Sequence, residues 1–272
     1  MKMIGIAGLH KTFNPGTPNE VHALRGIDLE IQAGDFVTVI GTNGSGKSTL
    51  LNAVAGAFLP DRGSITIDGR DVTRDRDFMR AKYISRVFQN PYMGTASHMT
   101  IAENLLMAML RGKTHYPRIG LNKKRMNQFE REVAPLEMHL EKRLNDTMGT
   151  LSGGQRQALT LLMAVISPPK VLLLDEHTAA LDPKSAAQVI SLTNEFIRRE
   201  RLTALMVTHS MHQAFSLGTR IIMMHQGRII EDIGEGEKGR LTVDDLLDKF
   251  SEVRKREKIT DDIVEQLRRE YI

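Results

Sequence analysis

The sequence predicts an α/β fold in which a strand-rich core is interrupted by a helical lobe, and three observations predict it. Short β-rich runs bounded by Gly, Pro and Asn fill the first third of the chain. Helical periodicity takes over between about residues 91 and 165. Strand and helix patterns then alternate again from Val171 onward.

Taken in order, strands are expected at Ile4–Leu9, Gly26–Ile31, Phe36–Ile40, Ser64–Ile67 and Tyr83–Phe88. The cluster Asn14-Pro15-Gly16-Thr17-Pro18-Asn19 reads as a turn. Phe36–Ile40 runs into a glycine-rich loop and then a helix-compatible stretch, Ser48–Ala57. Thr100 and Glu103 form a capping-box pattern that opens a helix with Ile101, Leu105 and Met109 on one face. A second helix from about Asn122 carries Met126, Phe129 and Val133, and a short helical stretch after Pro135 holds Leu136, Leu140 and Leu144. Val171–Leu174, a helix from Pro183 to about Arg199, Ala204–Thr208, Ile221–Met224 and Arg228–Ile230 complete the core. Beyond Gly239 two capped amphipathic stretches follow. Thr242 leads Val243, Leu246, Leu247, Phe250 and Val253, and Thr260 leads Ile263, Val264, Leu267 and Tyr271.

Composition removes several classes. At 272 residues, 41% hydrophobic and 26% charged, the chain can bury a sizeable core, which excludes a disordered or fibrous protein. Its apolar runs, Ala158–Ile166 and Val171–Leu174, are far short of the roughly 20 residues that cross a bilayer. The N-terminus meets polar residues too early for a secretory signal, and with no cysteine there is no disulfide framework or thiolate site. A cytosolic chain is the expectation. The net charge of +4 is mild, and 5% aromatics without Trp argue against a nucleic-acid footprint. The basic clusters Arg74, Arg76, Arg80 and Lys82, and Arg118, Lys123, Lys124 and Arg125, read as solvated faces, with an anionic membrane surface as the alternative.

Gly41-Thr42-Asn43-Gly44-Ser45-Gly46-Lys47-Ser48 fits the G-x-x-x-x-G-K-[ST] phosphate loop, after a strand and before a helix. Glycines let backbone N–H groups turn inward around a phosphate, and the helix N-terminus adds positive potential. Lys47 supplies a full charge to the β- and γ-phosphates, and the Ser48 hydroxyl is placed to ligate Mg²⁺. A flexible Gly/Ser turn is the bland alternative. The loop indicates nucleotide binding and leaves open what hydrolysis drives.

Val171-Leu172-Leu173-Leu174-Asp175-Glu176 is a buried-strand pattern that ends in two acids at the carboxyl edge of the sheet. There Asp175 can hold Mg²⁺ through water and Glu176 can polarise the attacking water as a general base.

Leu151-Ser152-Gly153-Gly154-Gln155 is a second glycine-rich loop that opens a helix, able to present N–H groups and the Ser152 hydroxyl to an anion. With it the chain resembles the ATP-binding subunits of ABC transporters over nearly all of residues 1–235, the pentapeptide matching the LSGGQ signature letter for letter. The resemblance implies a P-loop NTPase core with a mixed sheet, an antiparallel β subdomain and an inserted helical subdomain at about 91–165. It also implies an ATP-binding domain over residues 1–240 and a C-terminal helical extension over 241–272.

Position by position it implies ATP contacts for Phe13 (stacking on adenine), Gly41, Asn43, Gly44, Ser45, Gly46, Lys47, Ser48 and Thr49. A second copy, bound head to tail, would contribute Ser152, Gly153, Gly154, Gln155 and the interface-crossing Asp182. Gln89 resembles the glutamine that reaches the metal and the water, and His209 the switch histidine beside the γ-phosphate. The implied metal ligands are Ser48, Gln89 and Asp175. His177 stands where the family usually has Pro, either tuning the site or facing solvent. After the signature an apolar run from Ala158 replaces the usual basic helix, which reads as lobe packing.

The family reading implies separate permease subunits, placement on the inner face of the membrane, and indirectly a solute-binding protein. The segments Asn14–Glu20, Asp71-Val72-Thr73 and Tyr92–Met99 resemble a bacterial importer subgroup associated with amino acids, including aromatic ones. An ABC exporter ATPase and a non-transport ABC ATPase are the alternatives.

Overall fold

The computed structural model describes residues 1–113, 120–242 and 245–246. The chain forms two compact units. One is built from Met1–Asp77 and the segment from Thr203 onward, the other from Phe78–Leu202.

The first unit holds two sheets. β1 (Lys2–Phe13), β2 (Val21–Gln32), β4 (Arg62–Ile67) and β5 (Arg70–Asp71) form an antiparallel sheet in the order β2-β1-β4-β5. Its register stacks Ile31, Ile4 and Ile67 in one row and Leu29, Ile6 and Ile65 in the next, all buried. Such cross-strand apolar rows stabilise a sheet and pin its register, because a slip of one residue would turn them to solvent. The β1–β2 loop turns through Asn14 and Gly16 at positive φ, with the Thr17 hydroxyl donating to the Asn14 carbonyl at 2.8 Å.

β3 (Phe36–Gly41), β8 (Thr203–Val207), β9 (Arg220–His225) and β10 (Arg228–Ile233) run in the order β10-β9-β3-β8, parallel except for β10. Every residue of β3 and β8 is buried, as expected for parallel strands covered on both faces. α1 (Lys47–Ala55), α7 (Met211–Leu217) and the short α8 (Glu235–Lys238) complete this unit. Ile40, Met211, Ala214, Ile221, Met223, Ile233 and Leu246 make one continuous core cluster. The expected cap at Thr242 is present, since Thr242 and Asp245 exchange hydrogen bonds (2.6 and 3.2 Å) and Leu246 is buried. Val243 and the tail beyond Leu246, the Thr260 stretch included, lie outside the described residues.

The second unit pairs β6 (Ile84–Val87) and β7 (Val171–Asp175) in parallel. Around them are α2 (Asp77–Arg80) at its start, α3 (Ile101–Leu110), α4 (Lys123–Val133), α5 (Gly153–Val165) and α6 (Pro183–Glu200). The expected capping box opens α3, with Thr100 N donating to Glu103 (2.7 Å) and Glu103 N donating back (3.2 Å). Asn122 caps α4, which buries Phe129 and Val133. Eleven of the thirteen residues of α5 are buried, which explains its apolar run as packing on all sides.

Two sequence expectations need correction. Leu136, Leu140 and Leu144 are buried, but Leu136 and Leu140 lie on separate 3₁₀ turns (Ala134–Leu136, Leu140–Lys142) and Leu144 follows in a turn, rather than all three on one helical stretch. Glu137 and His139 at positive φ interrupt it. Arg80 is 0% exposed and so leaves the solvated basic face, whereas Arg74, Arg76 and Lys82 are exposed. Lys123 and Lys124 are exposed and Arg125 is half-buried, while Arg118 lies outside the described residues.

Candidate nucleotide site

In the first unit the phosphate loop leaves the end of the buried strand β3. At Gly41 (φ 151°) a Cβ would stand 2.1 Å from the Met224 carbonyl oxygen, and at Gly46 (φ 99°) 2.5 Å from that of Ala23. Both positions therefore exclude any side chain. Gly46 caps α1 without a side-chain hydrogen bond, and the first turn carries no acid, so the helix N-terminus keeps its positive potential. Lys47 is buried and arches back so that Nζ donates to the carbonyls of Gly41 (2.6 Å) and Thr42 (3.1 Å). The Ser45 hydroxyl is buried with no hydrogen-bond partner in the protein. A buried orphan hydroxyl beside a lysine and a helix N-terminus fits an anionic group bound in the loop. Asn43, Gly44 and Ser48 are exposed, and Thr49 is half-buried.

β8 runs parallel beside β3, so the half-buried His209, just past β8, lies on the same carboxyl edge as the loop. Its neighbours are fixed. Thr208 N donates to Val39 O (3.2 Å), and the Ser210 hydroxyl caps α7 by accepting from Gln213 N (3.2 Å). Phe13 ends β1 on the antiparallel sheet, 36% exposed, with its ring edge-to-face on Phe58 at 5.4 Å. Lys11, held by Asp61 at 2.9 Å, lies over both rings. Phe58 was not legible as a partner of Phe13, because β1 and the segment after α1 meet only in the fold, whereas Lys11 stands two residues before Phe13 on the same strand.

In the second unit Gln89, Asp175 and Glu176 come together at the carboxyl ends of the paired strands β6 and β7. Gln89 is exposed. Asp175 Oδ2 accepts from Arg86 Nη2 at 2.6 Å, and the Arg86 guanidinium lies 4.6 Å over the Phe88 ring. Sequence reading missed Arg86; its only signal was a cation within a short β-rich run. Glu176 adopts φ 44°, a left-handed conformation that costs a non-glycine residue on the order of 1 kcal/mol or more.

His177 neither faces solvent nor titrates in the neutral range. It is buried, and burial lowers its pKa to about 4. Its Nε2 lies 2.9 Å from the Thr193 hydroxyl, whose single proton goes to the Val189 carbonyl (2.8 Å). The hydroxyl must therefore accept, which assigns the imidazole proton to Nε2.

The signature loop is a capping box. Ser152 Oγ accepts from Gln155 N (3.3 Å), and Gln155 Oε1 accepts from Ser152 N (3.2 Å). Gly153 is half-buried, and Gly154 is buried where a Cβ would stand 2.5 Å from Ser185 Oγ and 2.7 Å from Ser185 Cβ on α6. Asp182 caps α6 by accepting from Ser185 N (3.1 Å). Its side-chain hydrogen bond with Ser185, then the backbone one, holds its pKa below the usual aspartate value. Both helix starts are thus capped, and they pack closely where Gly154 meets Ser185.

The model of the family described as "ABC transporter" matches residues 24–179, more than half of the chain. The chain belongs to the ABC transporter family. It is 43% identical over 250 residues to a tyrosine transport ATP-binding protein of Clostridioides difficile, covering 91% of this chain and 98% of that protein. It is 38% identical over 216 residues to a probable sulfate/thiosulfate import ATP-binding protein of Chlorella vulgaris, covering 79% and 86%. Among solved structures, the dimeric post-hydrolysis state of the ATP-binding cassette MJ0796, bound to ADP and Pi, superposes with a TM-score of 0.72 at 27% identity over 86% of this chain and 99% of that one. This ABC cassette has the expected α/β fold with a mixed and an antiparallel sheet. It binds and hydrolyses ATP, and its relatives favour the importer reading over the exporter one.

Proposed function

We propose that this ABC ATPase powers uptake of an amino acid through separate permease subunits, with a solute-binding protein delivering the cargo. The observation that carries the cargo class is the match to 98% of the length of a tyrosine transport ATP-binding protein. On this reading the chain sits on the inner face of the membrane against its permease. Among the described residues no helix is long and apolar enough to cross a membrane.

ATP lies in the Gly41–Thr49 loop, with Lys47 released from the loop carbonyls onto the β- and γ-phosphates and Phe13 against the adenine. One chain carries two glycine-rich, helix-opening loops, and a single γ-phosphate needs one of them from each side. Two copies therefore close head to tail, the Ser152–Gln155 loop and Asp182 of each addressing the nucleotide of the other. Glu176 polarises the attacking water, His209 and Gln89 orient it, and hydrolysis reopens the pair. Mg²⁺ would be held by Ser48, Gln89 and Asp175 and, when bound, supplies positive charge to the phosphate oxygens. Among the described residues no group of three or more His, Asp or Glu is placed to hold a metal ion by itself.

Lys47→Ala tests the proposal at both ends. The purified variant is expected to lose MgATP binding, and cells carrying it with the permease are expected to lose uptake of radiolabelled tyrosine. Retained binding would overturn the role of Lys47, and lost binding with unchanged uptake would overturn the transport reading.

A further inference from the structure

We propose that Gln157 is a positioning residue for ATP hydrolysis, a side-chain rung that fixes the chain beside Glu176 to the chain beside Gln89. The proposal rests on the reading of Glu176 as general base. Gln157 lies on α5, five residues after Ser152, and is 0% exposed. Its Nε2 donates to the carbonyl of Phe88 at 3.0 Å and to the carbonyl of His177 at 2.7 Å. Phe88 is the residue before Gln89, and His177 is the residue after Glu176.

The geometry explains why a side chain is needed there. The parallel register of β6 and β7 ends at Val87 and Leu174, so beyond it backbone pairing no longer ties the two strand ends together. Only a donor with two protons can serve two carbonyls at once, and the carboxamide NH₂ does so. The same orientation leaves Gln157 Oε1 buried with no hydrogen-bond partner. An orphaned buried oxygen opposes folding, so the amide is oriented by its two donated hydrogen bonds and not by its oxygen.

The residues around Glu176 are pinned from both sides. Asp175 is held by Arg86, the His177 carbonyl by Gln157, and the His177 imidazole by Thr193. Between these anchors Glu176 keeps its left-handed backbone. Removing the rung lets that backbone relax and moves the carboxylate off the water. A misplacement of about 1 Å is enough to cost on the order of 100-fold in rate.

The test is single-turnover hydrolysis of radiolabelled ATP by the full chain, with MgATP affinity and urea midpoint measured alongside. The variants are Gln157→Met, of similar volume without a donor, and Gln157→Asn, which keeps the amide but is too short to span both carbonyls. Each is made in the parent and in a Glu176→Gln background. We expect the hydrolysis rate to fall roughly 10- to 100-fold in the parent, with affinity within about twofold and little further loss on Glu176→Gln. An unchanged rate in both Gln157 variants would overturn the inference. So would an equal fold-loss in the Glu176→Gln background, the signature of a structural role alone. If Glu176→Gln itself turned over at the parent rate, the base assignment would fall first and this inference with it.

Discussion

His177 gives the stability of this ATPase a specific pH dependence. In the unfolded chain the imidazole titrates near 6.5, and in the fold it resists protonation until about pH 4 because it is buried. Between those values the unfolded chain binds more protons than the folded one. The contribution is therefore fully present above pH 6.5, is lost as pH falls through this window, and is gone below pH 4. At about 1.4 kcal/mol per pKa unit the full loss is about 3 kcal/mol, of which about 2 kcal/mol falls between pH 7 and pH 5. With a urea slope of about 2 kcal/mol per molar, that moves the unfolding midpoint down by about 1 M. The assay is urea unfolding at pH 7, 6 and 5 for the parent and for His177→Gln, which has no imidazole to titrate. Carboxylates that also titrate in this range are common to both, so the difference in pH dependence isolates His177. The parent should lose about 1 M more than the variant on going to pH 5. Equal pH dependence would refute burial of a neutral imidazole.

Gly154→Ala places a Cβ within 2.7 Å of both Ser185 Oγ and Ser185 Cβ, and overpacking of this kind costs about 1–3 kcal/mol. The thermal midpoint should fall accordingly, and Ser185→Gly added to it should restore most of the loss; a Gly154→Ala protein as stable as the parent would contradict that packing. Phe13→Ala should weaken ATP about 5- to 100-fold if the ring stacks on the base, yet leave inorganic tripolyphosphate affinity unchanged in equilibrium titrations. Equal losses for both ligands would place Phe13 outside base recognition.

The parts of the fold that rest on short-range rules were readable in the sequence. The Thr100 cap, the Val171–Asp175 strand delivering its acids to an edge, and the loop between β3 and α1 all follow from local pattern. What was not readable depends on residues that meet only in the fold. The Arg86–Asp175 pair needs the β6–β7 register, and the burial of His177 needs α6 to supply Thr193. The two carbonyl partners of Gln157, on Phe88 and His177, are 69 and 20 residues away along the chain and are brought to it only by the fold. The Ser152-x-x-Gln155 capping box follows from local pattern as well, since the Ser and Gln stand three residues apart at a helix start. The helical stretch after Pro135 failed for a local reason, since two residues at positive φ broke a periodicity that the leucines alone suggested.

The central claim is a Glu176-driven ATPase that works as a head-to-tail pair. Its most direct test is ATP turnover and solution mass of Glu176→Gln beside the parent, with and without MgATP. The account predicts that turnover is nearly abolished and that MgATP doubles the mass of the variant. Turnover near the parent rate would contradict Glu176 as the base, and a mass that stays at one chain with MgATP would contradict the sandwich.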